Sequence, residues 1–183
     1  MPTNYKELSW DSDYTWLRDN ISTFFDNHSA IDLDFGRSIQ NPTLDMNDSI
    51  DQRYVSIRDR FNLKTHCYIM NSTPSKKVHD PHRHDAEDTF VSLVIPVEGC
   101  DSNTVTSWLE PNDSDYSLAT DARTTNCLHP DETYTVLETT SIASVPVVIN
   151  NRQWHKVESN DNVTKRVTFV WPTNPEIATI NDY

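Results

Sequence analysis

The scarcest residue type in this chain is glycine, with only Gly36 and Gly99 among 183 residues. A glycine-rich loop that cradles phosphate cannot form from so few glycines, which excludes the P-loop and dinucleotide-binding folds. The turns must instead use asparagine and aspartate, which tolerate left-handed backbone and bond to their own main chain.

Basic residues are also few relative to acidic ones. The chain has 15 Lys and Arg against 28 Asp and Glu, which gives a formal net charge of −13 at pH 7. Binding to a phosphate backbone needs clusters of basic residues. We therefore expect no direct nucleic-acid partner, and the net negative charge favours solubility.

The chain also has few cysteines and no long apolar run. Cys67, Cys100 and Cys127 are odd in number and far apart, which argues against a disulfide framework and a cysteine-based zinc site. No apolar run approaches the ~18 residues of a membrane span, and the first residues lack the apolar centre of a signal peptide. We therefore expect a cytoplasmic protein with no membrane partner.

An amphipathic pattern near the beginning predicts a helix over residues 10–26. The apolar residues that recur there at steps of four and three are Trp10, Tyr14, Leu17, Ile21 and Phe24. Such steps place them on one face of a helix, which we interpret as a face that packs on the core. Residues 27–50 are polar and rich in turn formers, and residues 51–61 fit either a strand or a short helix.

From residue 64 onward, short runs of β-branched and aromatic residues alternate with Asn, Asp and Pro turns, which is typical of strands. The predicted strands are Thr65–Met70, Phe90–Val97, Thr104–Leu109, Thr133–Leu137, Ser144–Ile149 and Arg166–Trp171. Many short strands after an N-terminal helical flank predict a mainly β fold, a double-stranded β-helix or jelly roll. We expect one domain over residues 1–183, with a helical and irregular flank (1–63), a barrel (64–171) and a tail (172–183).

Three histidines and two aspartates lie within the seven residues from His79 to Asp85. Because His82 and His84 are two residues apart, their side chains point the same way on an extended strand. A distant histidine, His155, follows another apolar run. Imidazole and carboxylate groups suit iron, manganese, zinc and copper, so we predict a divalent-metal site formed by His82 and His155.

The third ligand of this site stays open at the level of sequence. It is His84 or Asp85, although Asp85 lies one residue too far along for simple strand geometry, and His79 is an alternative first ligand. Three protein donors leave coordination positions open for substrate, as catalytic metals require. Iron held by three donors on one face is suited to oxygen activation.

Arg166 and Thr168 are two residues apart on the last predicted strand, so they share one face of it. A guanidinium fork beside a hydroxyl is a good cradle for a carboxylate. This pair therefore predicts a ligand that carries a carboxylate.

Five segments carry a more specific pattern: Pro81–His84, Val91–Cys100, Thr104–Trp108, Pro146–His155 and Arg166–Phe169. Together they resemble the iron(II)/2-oxoglutarate-dependent oxygenases. The branch they resemble is that of the aspartyl/asparaginyl β-hydroxylase-like proteins, which includes small members from viruses of marine bacteria. The resemblance covers about residues 64–171, so the N-terminal third lies outside it.

The resemblance implies an activity and roles for particular residues. His82 and His155 would bind Fe(II), Arg166 with Thr168 would hold the distal carboxylate of 2-oxoglutarate, and Trp108 would add to the co-substrate site. The co-substrate would chelate the iron through its keto-acid end. The implied reaction releases succinate and carbon dioxide and hydroxylates an amino acid, a peptide side chain or a similar small molecule, in the host cytoplasm if the protein is viral.

The chain departs from that family at two places. The usual acid of the His-x-acid pair is replaced by His84, and Asp88 and Thr89 occupy the region where the family carries a strand-borne basic residue. A second interpretation is a cupin-type metalloenzyme, whose first motif is weakly similar to His82-x-His84 followed by Asp88. A third interpretation is a non-catalytic viral jelly roll that has a binding or structural role and holds no metal.

The long polar segment Pro111–Pro130 lies outside the shared strands, so we expect it to wall the substrate cleft together with the N-terminal region. Loops of that length in compact domains are commonly functional lids or disordered. Asp113, Asp115 and Asp121 outnumber Arg123 there. This balance favours a neutral or positively charged substrate over a phosphorylated one, within the ~8–10 Å range of surface charge effects.

Overall fold

Strands make up most of the ordered elements of this chain. The computed structural model describes residues 4–33, 36–72, 78–84, 91–119, 126–129, 131–142, 144–159, 165–174 and 179–182. In chain order the elements are β1 (Tyr5–Glu7), α1 (Ser12–Asn27), β2 (Ile31–Leu33), β3 (Gly36–Ile39), α2 (Ser49–Arg60), β4 (Cys67–Ser72), β5 (Val78–Arg83), β6 (Val91–Glu98), β7 (Thr104–Pro111), β8 (Leu118–Ala119), β9 (Asn126–Leu128), β10 (Tyr134–Thr140), β11 (Val147–Asn150), β12 (Trp154–Ser159), β13 (Arg166–Pro172) and a 3₁₀-helix (Ile180–Asp182).

The strands form two antiparallel sheets. The first sheet has seven strands in the order β1-β11-β6-β13-β4-β3-β2, and the second has six in the order β10-β7-β12-β5-β9-β8. From β4 to β7 and again from β10 to β13 the chain alternates between the two sheets, so consecutive strands there lie on opposite sides of an interior. This topology is a double-stranded β-helix and confirms the predicted mainly β fold.

Both helices begin at an aspartate that caps them. Asp11 accepts hydrogen bonds from the backbone of Asp13 and Tyr14 at the start of α1, and Asp48 caps α2 in the same manner. These side chains satisfy amide groups that have no partner inside the helix. The predicted helix near the N-terminus is therefore confirmed, and the open choice over residues 51–61 resolves to a helix.

The helices cover the outer face of the seven-stranded sheet. Their buried residues Leu17, Ile21, Phe24 and Tyr54 belong to one cluster with Phe169, Trp171 and alternate residues of β6. Because the opposite face of this sheet lines the interior, β6 is buried from Val91 to Pro96 at every position. Strands covered on both faces have continuous apolar runs, which is why this strand was evident in the sequence.

The interior between the sheets has its own apolar cluster. It contains Val94 and Val147 from the first sheet and Trp108 from the second, with Val170 packed against them. Residues that share a face with these side chains therefore point between the sheets.

The flank and the tail contribute more than the sequence indicates. Strand β1 pairs with β11, and β2 and β3 extend the sheet beyond β4. Ile180 of the tail is buried in the outer cluster. A single domain over residues 1–183 remains a prediction. No helix among the described residues combines the length and apolar composition of a membrane crossing.

Candidate metal centre

The pairing of β5 with β12 brings two distant histidines together. His82 lies directly opposite His155 in this ladder, and Trp108 lies opposite His155 on the other side, in β7. Directly opposed residues place their side chains on the same face of a sheet. Because Trp108 belongs to the interior cluster, both histidines point between the sheets.

His84 joins the same cluster. Its backbone N–H donates to the carbonyl oxygen of Asn151 at 3.0 Å, which continues the extended chain just past the end of β5. One ligand atom from each of His82, His84 and His155 lies within 4.8 Å of the others. The ring centroids are 4.3 Å apart for His82 and His155, 5.5 Å for His82 and His84, and 5.7 Å for His84 and His155.

The ring of His155 is oriented by its own strand. Its Nδ1 lies 2.9 Å from the carbonyl oxygen of Gln153. A carbonyl oxygen can only accept, so we assign the ring proton to Nδ1, which leaves the lone pair of Nε2 available to a metal. His155 is 4% exposed, so the surrounding side chains limit its movement.

Burial keeps the imidazole of His84 in its neutral form. Desolvation, followed by the nearby His82, lowers the pKa of His84 to about 4. A neutral imidazole is the form that binds a metal ion. The cluster is therefore suited to a cation before any cation binds.

Arg166 and Thr168 also face the interior. They share a face of β13 with Val170, which packs on the interior cluster. Arg166 is 6% exposed, and its Nε has no hydrogen-bond partner among the described residues. Burial lowers the pKa of the Arg166 guanidinium, while Cys100 and Asp101 act in the opposite direction.

The histidines and Arg166 lie toward opposite ends of the interior. The end of β13 meets the start of β6, because the backbone N–H of Thr173 donates to the carbonyl oxygen of Val91. Asn150 pairs with Val91, and the next residue, Asn151, binds the backbone of His84. The histidines are thus at that end, whereas Arg166 opens β13 at the other.

Trp108 lies in the wall of this interior, and its place in the co-substrate site remains a prediction. It is fully buried, and its Nε1–H donates to the carbonyl oxygen of Asn150 at 3.1 Å. Tyr5 of β1 stacks on its ring at a centroid distance of 5.5 Å. Its only polar hydrogen is therefore already used.

The other predicted ligands are less completely described. Asp85 lies outside the described residues. His79 lies in β5 opposite Val157, but its side chain falls outside the described part of the chain. Cys127, which sequence reasoning did not place at the site, pairs with His82 across β5 and β9. Nothing in the local sequence indicates this contact, because it depends on a pairing between residues that are 45 positions apart in the chain.

Comparisons with known proteins support the fold. No family model matches the chain, and no curated protein matches it. The epimerase SnoN of nogalamycin biosynthesis, in complex with Fe³⁺, α-ketoglutarate and nogalamycin RO, is similar with a TM-score of 0.51 and 10% identity, over 98% of this chain and 85% of SnoN. The chain shares its fold with 2OG-Fe(II) oxygenases.

Two further solved structures of this fold are prolyl hydroxylases. One, from Trichoplax adhaerens in complex with a peptide of a hypoxia-inducible factor, has a TM-score of 0.49 and 10% identity, over 96% of this chain and 86% of that one. The other, the prolyl-4-hydroxylase of Pseudomonas putida, has a TM-score of 0.46 and 12% identity, over 93% and 92%.

Proposed function

We propose that this protein is a non-haem iron(II)- and 2-oxoglutarate-dependent dioxygenase that hydroxylates an amino acid, a peptide side chain or a similar small molecule. One observation carries the proposal: three imidazoles meet inside a double-stranded β-helix whose interior also holds a buried arginine. The similarity to SnoN, whose complex holds iron and α-ketoglutarate, adds support from the fold.

The donor set fits iron(II). Three imidazole nitrogens from His82, His84 and His155 approach a common point, which leaves coordination positions for a co-substrate and oxygen. The hydrogen bond from His155 to the carbonyl of Gln153 orients one ring, and such supporting contacts raise metal affinity.

The arginine fits the distal carboxylate of 2-oxoglutarate. A buried guanidinium is costly unless an anion accompanies it, and the Nε of Arg166 has no described partner. A carboxylate bound there accepts charge-assisted hydrogen bonds from the guanidinium. The hydroxyl of Thr168, two residues along on the same face, donates another.

Each part of the site then has one task. Iron(II) with 2-oxoglutarate and oxygen supplies the oxidation of a substrate C–H bond, with succinate and carbon dioxide as co-products. The histidines hold the metal, and Arg166 with Thr168 orients the co-substrate along the interior. Trp108 and the apolar residues beside it exclude water, which strengthens the charge interactions within.

His84 in place of an acid makes the metal shell neutral. Three imidazoles would bring no negative charge to a bound cation, so they would not neutralise any of its charge. Electrostatics therefore favours a dianionic co-substrate as the next ligand. The site is expected to bind 2-oxoglutarate more strongly with the metal present than without it.

The substrate proposal rests on the acidic residues that follow β7. Asp113 and Asp115 lie on an exposed turn between β7 and β8. Their charge favours a neutral or cationic substrate over a phosphorylated one, and Asp121, which the sequence adds to this balance, lies outside the described residues. SnoN is complexed with a small molecule, which is consistent with a small organic substrate here.

One test separates this function from a second candidate. The three-histidine donor set also suits a cupin-type metalloenzyme that needs no 2-oxoglutarate. We would load the protein with iron(II) without oxygen, titrate 2-oxoglutarate by calorimetry, and then measure succinate release against amino acids, peptides and cell extracts.

The outcomes of that test are distinct. Metal uptake with 2-oxoglutarate binding and substrate-stimulated succinate release supports the dioxygenase. Metal uptake without 2-oxoglutarate binding supports the cupin-type enzyme. A protein that takes up no metal and releases no succinate above background favours a non-catalytic jelly roll.

A further inference from the structure

A second cluster lies behind the histidines, on the outer face of the six-stranded sheet. Trp154, Leu109 and Leu128 are buried together there, with Tyr116 packed against them. The guanidinium carbon of Arg83 lies 5.0 Å from the ring centroid of Trp154 and 6.0 Å from that of Tyr116. Tyr116 and Trp154 meet edge to face, with centroids 5.4 Å apart.

Two residues of this cluster, Arg83 and Trp154, are sequence neighbours of the three clustered histidines. Arg83 lies between His82 and His84, and Trp154 immediately precedes His155. Adjacent residues of a strand point to opposite faces. The contact of Arg83 with Trp154 outside the sheet is therefore the counterpart of the contact of His82 with His155 inside it.

The backbone ladder is irregular in this part of the sheet. The register between β5 and β12 shifts between His155 and Val157, directly beside the opposed histidines. Irregular pairing interrupts the regular ladder of hydrogen bonds and bends the strand. A side-chain contact that spans the same two strands at the same level would restrain the separation of the ligands.

We propose that Arg83 and Trp154 are positioning residues that hold β5 against β12, so that His82, His84 and His155 converge on one metal ion. This inference rests on the proposed function only in requiring that the cluster binds a metal. Arg83 does not touch the metal and acts through the backbone of the two ligands that flank it.

The chemistry of the contact explains the residue types. A flat guanidinium stacks on an indole and covers it with its aliphatic stem, whereas an ammonium group is a compact and strongly hydrated charge. Trp154 is only 4% exposed, so the contact is largely shielded from water. Tyr116 packs against Trp154 and so links the segment after β7 to these strands.

Cobalt(II) is a suitable probe, because its visible spectrum reports the number and geometry of its ligands. We expect Arg83→Met and Trp154→Leu to weaken cobalt binding by about 10–100-fold, the range usual for residues that support metal ligands. Their spectra should also differ from that of the wild type. Trp154→Phe keeps an aromatic ring and should restore most of the affinity.

A matched control is available on the same strand. Lys156 also flanks His155, and its ammonium group lies 5.1 Å from the ring centroid of Tyr134. That contact joins β12 to β10 rather than to β5. Lys156→Met should therefore lower thermal stability and leave cobalt affinity within about threefold of the wild type.

The possible results are separable. Cobalt affinity and spectrum unchanged in folded Arg83→Met and Trp154→Leu would overturn this inference and leave the metal site standing. A wild-type protein that takes up no cobalt would overturn the proposed function and this inference together. An equal loss of affinity in Lys156→Met would show a general effect of the outer face and would also refute the specific role of Arg83.

Discussion

The chemistry proposed for this protein depends on single side chains that the strands place in the interior. His155 is buried, oriented by the carbonyl of Gln153, and opposed to His82. Arg166 is buried, and its Nε has no hydrogen-bond partner within the part of the chain that the structure describes. Each of these residues can be removed separately, so the roles proposed for them can be tested one at a time.

His155→Ala should remove most of the bound iron, because it deletes one of three donors and the one that links β12 to the site. Iron per protein chain, measured after reconstitution without oxygen, gives the result. His129→Ala is a suitable control, since His129 is half-exposed and pairs with Asp131 away from the cluster. Equal iron content in the wild type and in His155→Ala would refute the ligand assignment.

Arg166→Leu should weaken 2-oxoglutarate binding by roughly 1.5–3 kcal/mol, the usual value of a hydrogen bond to a charged group. Calorimetric titration of the iron-loaded protein without oxygen measures the change. Lys165→Leu is the control, because its neighbouring ammonium group is exposed and pairs with Glu98. The carboxylate role fails if both variants bind 2-oxoglutarate as the wild type does.

Cys67 gives a prediction on pH dependence away from the site. It is fully buried, and this burial raises the pKa of its thiol to about 12. An unfolded thiol titrates near pH 8.5, so the unfolded state loses its proton first as pH rises. The contribution of the protonated thiol to the free energy of unfolding is therefore complete below about pH 8.5. Above that pH the contribution falls, by at most about 1.4 kcal/mol per pH unit.

Urea titrations between about pH 7 and 11 would measure this slope. Cys67→Ala should reduce the slope, although a part remains because burial also raises the pKa of Tyr54. An identical pH dependence in the wild type and in Cys67→Ala would mean that the thiol does not contribute.

At the scale of single elements, capping decides where the helices begin. Asp48 accepts from the backbone of Ile50 and Asp51 at 2.7 Å and 3.2 Å. Because α2 covers Cys67 and Trp171 of the sheet through Tyr54, weakening the start of this helix affects the whole outer layer.

Asp48→Ala should lower the free energy of unfolding by about 1 kcal/mol, the usual effect of losing an N-cap. Chemical denaturation measures the difference. Asp48→Asn keeps a capping oxygen and should stay close to the wild type. A similar loss in both variants would point to the charge of Asp48 rather than to its cap.

At the scale of the whole molecule, the seven-stranded sheet contributes one face to each of two packed layers. Its outer face packs on the helices and its inner face lines the site. Phe24 illustrates the outer layer, since it is fully buried and stacks on Tyr54 at 4.1 Å. The histidines belong to the other sheet, so the two layers should respond separately to mutation.

Phe24→Ala should cost about 3–5 kcal/mol of stability, as expected for removing a buried aromatic side chain. The cobalt affinity of Phe24→Ala at low temperature should match that of the wild type, because the cavity left by the missing ring lies under the helices and not between the two sheets. Ile31→Ala, at a position 54% exposed, should change stability by less than about 0.5 kcal/mol. A loss of cobalt affinity in folded Phe24→Ala would show that the layers are coupled.

Much of the architecture follows from local patterns in the sequence. The spacing of Tyr14, Leu17, Ile21 and Phe24 predicts α1, and the apolar runs predict β6, β7 and β13. The two-residue steps of His82 with His84 and of Arg166 with Thr168 predict which side chains share a face. Periodicity alone carries this information, because it depends only on the geometry of one helix or one strand.

Only the tertiary structure decided how these pieces meet. The strands β5 and β12 are polar, so neither was evident as a strand from the sequence. They nevertheless hold two of the three clustered histidines, His82 and His155. The choice of His84 as the third member of the cluster, the position of Cys127 and the cluster of Arg83 with Trp154 depend on pairings between distant strands. Register between distant strands is set by packing on both faces of a sheet. The sequence of one strand therefore does not identify which residues of a distant strand will lie opposite its own.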